Sequence, residues 1–267
     1  MTRVVIIGAA GRMGQMLVRC CLRAKDLCFA GAVDAPECPV LGRDAGLVAG
    51  IAETGTVVQA DLRQSAAAAD VLVDFSNRSA VPEHVRVAAE ARKAMVIGTT
   101  GLAPAEQTAI RDAARTIPIV WAPNMSVGVN LLFALVKRAA ATLGLDYDVE
   151  IVEVHHRHKK DAPSGTALRL GQKVAEGRGQ DFQAVAVFGR EGLTGERPAG
   201  QIGLHAVRTG DVVGDHTVTF GIEGERVEFT HRASSREAFA MGALRAAAWV
   251  AGRQPGLYDM QDVLGLQ

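Results

Sequence analysis

Three histidines, one arginine and two lysines occupy the six residues His155–Lys160. Histidine titrates near neutral pH, and a lysine among other cations has a lowered pKa, so both residue types can act as general acids here. His155 and Lys159 lie four residues apart where a strand pattern gives way to a loop, so both could face one pocket. We predict these two as catalytic proton donors, acting on an acidic substrate that the surplus positive charge attracts.

The strand that leads into this cluster positions the first two histidines. If it runs to its end, His155 projects to the same side as Ile151 and Glu153, and His156 projects to the opposite side. Adjacent histidines on a strand should therefore have different roles. A bend at the strand end would instead bring both to one pocket.

A helix is predicted to start directly after the cluster. Ser164 has the side chain of an N-cap residue, and Gly165 and Thr166 would then present backbone N–H groups at a helix N-terminus. Such a terminus, beside cationic side chains, suits a carboxylate or a phosphate. The alternative interpretation is a solvated basic loop.

A metal site is the competing interpretation of the histidines. Zinc could be bound by three imidazoles, here those of His155, His156 and His158. However, adjacent strand histidines diverge, and the flanking arginine and lysines would repel a cation. We therefore predict no metal.

The N-terminus has the pattern of a dinucleotide-binding unit. The apolar run Val4–Ile7 is followed at once by glycines at a three-residue spacing within Gly8–Gly14, and then by apolar residues at helical spacing. A second strand, Phe29–Val33, ends at Asp34. Glycines let the backbone approach a pyrophosphate, the helix N-terminus attracts it, and the acid accepts hydrogen bonds from a ribose.

Strands and helices continue to alternate up to residue 126. Strands are predicted over Val71–Phe75, Met95–Ile97 and Ile117–Trp121, with helices between them. Ligands bind at the carboxyl ends of strands in an open parallel sheet. Three loops should therefore converge on one crevice: Gly8–Gly14, Gly98–Gly101 and Ala122–Met125.

The pattern changes after residue 130 to extended stretches without regular crossovers. Alternating apolar residues and the Glu223–Glu225 turn predict a hairpin between strands His216–Ile222 and Arg226–Arg232. Ser234–Glu237 resembles a capping box for a helix from about Arg236 to Ala251, with Phe239, Leu244 and Val250 among its buried residues. We expect this helix to pack back on the first domain, and a place in the second domain is the alternative.

These patterns predict the fold class and its division into domains. The fold is α/β, with a Rossmann-like, doubly wound parallel sheet domain and a second, α+β domain with a mixed sheet. The first domain spans residues 1–126 and is completed by residues 235–267, and the second spans residues 127–234.

Composition excludes several function classes. The chain has 267 residues, with 29 basic and 29 acidic side chains, so no global charge points to nucleic acid or a membrane surface. No stretch approaches the length of a membrane span, and four cysteines without C-x-x-C spacing suit reduced thiols. We expect a cytoplasmic protein.

Together these motifs resemble one known family. GAAGRMG, GTTG, APNMSVGVN, HRASSREAFAMGALRAA and above all EVHHRHKKDAPSGTA are similar to segments of dihydrodipicolinate reductase, also called 4-hydroxy-tetrahydrodipicolinate reductase. The resemblance implies an enzyme that reduces a cyclic dicarboxylate with NADH or NADPH in lysine and diaminopimelate biosynthesis. It also implies a homotetramer joined through the sheets of the substrate domains.

The resemblance implies a role for each matched residue. His155 matches the proton donor/acceptor, Lys159 the second proton donor, His156 a substrate-binding histidine, and Gly165 and Thr166 the carboxylate-binding pair. The implied chemistry is loss of the 4-hydroxyl group as water, hydride delivery to C4 of the conjugated imine, and protonation at C3. The cofactor-binding positions are Gly8, Ala9, Ala10, Gly11, Arg12, Met13, Asp34, Gly98, Thr99, Thr100, Ala122, Pro123, Asn124 and Met125, with Thr100 also assigned to the substrate.

One departure from the family pattern concerns cofactor choice. Many members carry an arginine just after the ribose-binding acid, where it can meet the 2′-phosphate of NADPH, but this chain has Asp34–Ala35. A carboxylate suits a free 2′-hydroxyl group and repels a phosphate, so we predict a preference for NADH. Arg12 or Arg78 could still support NADPH. The rival functions are another imine-reducing oxidoreductase and a non-catalytic nucleotide-sensing protein.

Overall fold

The computed structural model describes residues 1–266, which form two compact units. The first unit comprises Met1–Val127 and Arg236–Gly265, and the second comprises Gly128–Ser235 with Leu266. The chain thus leaves the first unit after residue 127 and returns to it at residue 236.

The first unit is built on a seven-stranded sheet in which every pairing is parallel. The strand order is β12-β6-β5-β4-β1-β2-β3. The strands are β1 (Thr2–Ile7), β2 (Leu27–Val33), β3 (Val58–Gln59), β4 (Val71–Asp74), β5 (Ala94–Ile97), β6 (Pro118–Trp121) and β12 (Gly256–Tyr258).

Helices cover both faces of this sheet. Val4 and Ile6 of β1 belong to one hydrophobic core, and Val5 and Ile7 belong to the other, because successive side chains of a strand point to opposite faces. A strand buried on both faces needs a continuous apolar run, as β1 has. The helices are α1 (Arg12–Arg23), α2 (Ala45–Val48), α3 (Leu62–Ala68), α4 (Val81–Glu90), α5 (Pro104–Ala113), α9 (Glu237–Val250) and α10 (Met260–Leu264).

Helix α9 packs on the first unit, as the sequence predicts, but its start and its burial differ from the prediction. The predicted capping box is wrong: the N-cap residue is Arg236, with φ −71° and ψ −8° and no side-chain cap hydrogen bond. An N-cap side chain normally acts from an extended backbone, and Arg236 is already helical. Leu244 and Val250 are buried as predicted, whereas Phe239 is only partly buried.

The second unit contains a five-stranded mixed sheet in the order β11-β10-β7-β9-β8. Strand β9 is parallel to β7 and β8, while β10 is antiparallel to β7 and β11. The predicted hairpin joins β10 and β11 through Glu223 and Gly224, where Gly224 has φ +92°. The elements are β7 (Asp148–His155), β8 (Ala186–Phe188), β9 (Ile202–Arg208), β10 (Gly214–Ile222), β11 (Glu225–Ala233), α6 (Val127–Leu143), α7 (Gly165–Arg178) and α8 (Phe182–Val185).

One hydrophobic core lies on the face of the mixed sheet that α6 and α7 cover. Val149 and Ile151 of β7 are fully buried there, beside Val218 and Phe220 of β10. The alternation along β7 also places Glu153 and His155 on this face. The fold class predicted from the sequence is therefore confirmed, including the mixed sheet. Among residues 1–266, no helix is both long and apolar enough to cross a bilayer.

Candidate active site

The glycine loop after β1 is packed so closely that side chains would not fit. Gly8 has φ +78°, and a Cβ atom there would lie 2.7 Å from the carbonyl oxygen of Phe75. A Cβ atom on Gly14 would lie 2.0 Å from the carbonyl oxygen of Gly8. Helix α1 begins directly after Gly11, so its first N–H groups lack intrahelical acceptors at the end of this loop. The loop therefore leads directly into a helix N-terminus, which is the kind of backbone site that binds phosphate groups.

Asp34 links the end of β2 to the glycine loop. One carboxylate oxygen accepts a hydrogen bond from the Ala10 N–H at 2.7 Å, and the other accepts one from the Ala35 N–H at 2.8 Å. These bonds hold the carboxylate at the edge of a cavity of about 570 Å³ in the first unit. The residues that line this cavity include Gly8, Gly11, Asp34, Arg63, Phe75 and His84.

The cavity wall carries more negative than positive charge. Asp34, Asp61 and Glu83 line it, and Arg63 is its only lysine or arginine among the described residues. Arg63 forms an ion pair with Glu90, in which Nη1 lies 2.6 Å from Oε2. Its Nη2 lies 4.0 Å from Oε1 of Glu83. The arginine of the cavity wall is therefore already paired with carboxylates.

The other two loops that were predicted to bind the cofactor do not line this cavity. A Cβ atom on Gly98 would lie 2.1 Å from Cζ of Phe75, so Gly98 packs against that ring. Thr99 is buried and its hydroxyl group donates to the Asp74 carboxylate at 3.3 Å, while Thr100 is exposed. None of the described residues within Gly98–Gly101 or Ala122–Met125 lines the cavity. Ala122 and Met125 are buried in the hydrophobic core, Pro123 is exposed and Asn124 is half-buried.

Sequence reasoning missed three residues of the first unit. Phe75 contacts both Gly8 and Gly98 because β4 lies between β1 and β5 in the sheet. Arg63 and His84 also line the cavity, and Nδ1 of His84 lies 2.8 Å from the buried Asp74 carboxylate. The position of Phe75 at the end of a predicted parallel strand was the available signal. Arg78, considered for NADPH, donates to the Gly101 carbonyl at 3.0 Å instead.

His155 is the last residue of β7 and is held in a buried polar cluster of the second unit. Its Nδ1 lies 2.5 Å from Oε2 of Glu153, and its ring centroid lies 5.2 Å from that of His216 in an edge-to-face arrangement. The Thr209 N–H donates to the His155 carbonyl at 2.9 Å. His155 therefore shares a face with Glu153 and Ile151, as the alternation predicts.

Burial and charge act together on the groups in this cluster. Burial lowers the pKa of His155, Glu153 partly opposes that effect, and Lys159 and Arg208 lower the pKa further. Burial opposes ionisation of Glu153, but hydrogen bonds from Arg208, His155 and the Ser164 N–H outweigh it and lower the pKa of its carboxyl group. Burial also lowers the pKa of His216 to about 3, so His216 is neutral at physiological pH.

His156 lies beyond the end of β7 and has different neighbours from His155. It is half-buried, its Nδ1 is buried without a hydrogen-bond partner among the described residues, and its ring centroid lies 6.3 Å from that of His158. The two adjacent histidines thus have separate surroundings. Within residues 1–266, no group of three or more His, Cys, Asp or Glu side chains is arranged to hold a metal ion.

Lys159 has an acidic partner that the sequence analysis missed. Its Nζ donates to both carboxylate oxygens of Asp161 at 2.8 Å, and its side chain is only 20% exposed. The lysine predicted to lie among cations therefore also has a carboxylate partner. The hydrogen bond from Lys159 lowers the pKa of the Asp161 carboxyl group. A pairing two residues apart in a loop has no sequence period that could reveal it.

The predicted helix start after the cluster is confirmed. Ser164 is the N-cap of α7, with φ −65° and ψ 153°, and its hydroxyl oxygen accepts from the Ala167 N–H at 3.1 Å. Apart from its chain neighbours and the backbone of its own helix, no atom of residues 1–266 lies within 4 Å of the place where a Cβ atom on Gly165 would sit. The N-terminus of this 14-residue helix therefore has space beside it for a ligand.

The comparisons with known proteins agree over nearly the whole chain. The family model for "Dihydrodipicolinate reductase, N-terminus" matches residues 2–125, and the model for "Dihydrodipicolinate reductase, C-terminus" matches residues 128–264. The chain is 53% identical to a 4-hydroxy-tetrahydrodipicolinate reductase of Anaeromyxobacter dehalogenans, over 100% of this chain and 99% of the relative. It is 54% identical to the reductase of the same name from Alkalilimnicola ehrlichii, over 99% of each chain.

A solved structure is similar in fold as well as in sequence. It is the dipicolinate-bound dihydrodipicolinate reductase from Paenisporosarcina sp. TG-14, with a TM-score of 0.76 and 27% identity. The match covers 98% of both chains.

Proposed function

This chain belongs to the dihydrodipicolinate reductase family, and we propose that His155 and Lys159 supply the protons for its reaction. The reaction is the NAD(P)H-dependent reduction of 4-hydroxy-tetrahydrodipicolinate in lysine and diaminopimelate biosynthesis. The observation that carries the proposal is the cluster around the end of β7. It combines a buried histidine on a buried carboxylate, a lysine held by Asp161 and a helix N-terminus.

The first unit would hold the cofactor. The Gly8–Met13 loop suits the pyrophosphate, and Asp34 suits the adenosine ribose, because its carboxylate is already fixed to that loop by the Ala10 N–H. We include Gly98, Thr99, Thr100 and the Ala122–Met125 segment in this role on the strength of the family resemblance. When bound, the nicotinamide supplies the hydride.

The second unit would bind the substrate and handle the protons. Gly165 and Thr166 at the N-terminus of α7 suit one carboxylate of the dicarboxylate, since the helix dipole and backbone N–H groups favour an anion. His156 contributes to binding, and the family resemblance also assigns Thr100 to the substrate. His155 donates a proton from a buried position, and Lys159 donates one from the loop.

The cofactor preference follows from the cavity charge. We expect kcat/KM for NADH to exceed that for NADPH by about tenfold or more, because Asp34, Asp61 and Glu83 face the cavity and Arg63 is paired with Glu90. Steady-state kinetics with 4-hydroxy-tetrahydrodipicolinate and each cofactor measures both the activity and the preference. No turnover with either cofactor would overturn the proposed function, and a clear NADPH preference would overturn only the cofactor assignment.

A paired substitution tests the physical reason. Ala35→Arg should raise kcat/KM for NADPH relative to NADH by about tenfold, since an arginine beside the ribose can pair with the 2′-phosphate. Ala35→Gln is the control, because it adds a long side chain without charge. We also propose that the protein forms a homotetramer and is cytoplasmic.

A further inference from the structure

We propose that Glu153 is the positioning residue of the active site: it fixes the orientation and tautomer of His155, so that Nε2 is the nitrogen that exchanges the proton. The inference rests on the proposed function of His155 as a proton donor. It adds a residue that has no role in the cofactor, substrate or proton-donor assignments above.

The Glu153 side chain is fully buried, yet each of its carboxylate oxygens accepts two hydrogen bonds. Its Oε2 receives His155 Nδ1 at 2.5 Å and Arg208 Nη1 at 2.8 Å. Its Oε1 accepts from Arg208 Nη2 at 2.8 Å and from the Ser164 N–H at 3.0 Å. A buried carboxylate is costly unless it is paired and hydrogen-bonded, and these four contacts supply that compensation.

An ionised carboxylate decides which nitrogen of His155 carries the proton in the neutral ring. Glu153 can only accept hydrogen bonds, so Nδ1 must be the donor and Nε2 is left with its lone pair. Nε2 makes no hydrogen bond within the described part of the chain. It lies beside Gly214, where an added Cβ atom would come within 3.0 Å of it, so the absence of a side chain at Gly214 leaves room for Nε2.

The same carboxylate also affects the pKa of His155. Among the groups that face the ring, Glu153 of β7 raises its pKa, while Lys159 of the loop and Arg208 of β9 lower it. His216 of β10 contacts the ring edge and is neutral. Glu153 therefore counteracts the effects of burial and of the two cations on the pKa of His155. As a result, the ring stays protonated up to a higher pH.

Glu153 also ties His155 to the helix that would bind the substrate. Ser164 donates its N–H to Glu153 and caps α7 with its hydroxyl group. Arg208, bound to the same carboxylate, donates to the Asp161 carbonyl at 2.7 Å. One buried side chain thus fixes the proton donor, the helix N-terminus and the loop that carries Lys159 with respect to one another.

Two substitutions should move the pH dependence in opposite directions. Glu153→Gln keeps the shape of the side chain but removes the charge that raises the pKa of His155. The alkaline limb of the kcat–pH profile should therefore move to lower pH by about one unit. Arg208→Gln removes a charge that lowers this pKa, so the limb should move to higher pH. If Glu153 had a purely structural role, both substitutions would weaken activity without moving the alkaline limb in opposite directions.

Nitrogen-15 NMR of the histidine rings in the full-length protein gives a readout that is independent of activity. In the wild type, His155 should appear as the Nδ1–H tautomer, and in Glu153→Gln the preference should be reduced and the pKa lowered. Glu228→Gln, an exposed carboxylate on β11, is the matched control and should change neither property. Glu153→Asp keeps the charge, so it should restore much of the alkaline limb even if kcat stays reduced.

The outcomes separate the inference from the proposed function. If Glu153→Gln leaves the His155 tautomer, pKa and alkaline limb unchanged, the inference is overturned. If NMR shows the expected changes but activity does not depend on His155, the proposed function fails while the positioning geometry stands. If Glu153→Gln does not fold, Glu153→Asp and Arg208→Gln decide the question. The alkaline limb should stay close to that of the wild type in Glu153→Asp and move to higher pH in Arg208→Gln, and an unmoved limb in Arg208→Gln would overturn the inference.

Discussion

His155→Gln is expected to lower kcat by about three orders of magnitude, because a positioned general acid contributes about 10²- to 10⁴-fold. Glutamine retains a polar side chain that can hydrogen-bond to Glu153, but it cannot donate a proton as an acid. We propose the cofactor site in the other unit, so the dissociation constant of NADH should change little. Steady-state kinetics and NADH fluorescence titration measure the two quantities.

The matched control for this prediction is His158→Gln. His158 belongs to the same basic cluster, but it is exposed and lies beyond the end of β7. Its substitution should leave kcat within about twofold of the wild type. Equal losses for the two variants would mean that the whole cluster acts as a charged surface, and that His155 has no special role.

Lys159→Ala is expected to lower kcat by about two orders of magnitude while leaving NADH affinity nearly unchanged. The Nζ group is held by Asp161 and is mostly shielded from solvent, so no water or neighbouring cation can replace it easily. Removing an interaction made only in the transition state lowers kcat and kcat/KM together. Both parameters should be measured with saturating NADH.

Lys160→Ala is the control, since Lys160 is the adjacent exposed lysine of the same cluster. It removes the same charge from the surface and should have little effect on kcat. Lys159→Ala activity within about threefold of the wild type would show that Lys159 is not a proton donor. Its pairing with Asp161 would then be structural only.

Local sequence patterns predicted the parts of the site that depend on neighbouring residues. The period of two along β7 placed His155 with Glu153 and Ile151 on the buried face. Ser164 was predicted as the cap of α7 because its residue type and position are sufficient for that bond. The glycine spacing after β1 predicted a loop whose backbone a pyrophosphate can approach, and the structure adds that Gly8 and Gly14 leave no room there for a side chain.

Residues distant in sequence could not be predicted in the same way. Arg208 reaches Glu153 because β9 pairs with β7 in register, with Arg208 opposite His155. His216 lies opposite Glu153 because β10 pairs antiparallel with β7. Sheet order decides both contacts, and no local pattern specifies the order of strands. Phe75 was missed for the same reason, since its role depends on β4 lying between β1 and β5.

The most direct test of the central claim is whether the purified protein oxidises NADH when the product of dihydrodipicolinate synthase is added. We expect rapid loss of the near-ultraviolet absorbance of NADH with this dicarboxylate, and no loss without it. A cyclic imine with a single carboxylate serves as the comparison and should react at least about tenfold more slowly. No oxidation would contradict the account and favour a nucleotide-sensing protein, whereas equal rates with both compounds would favour a different imine reductase.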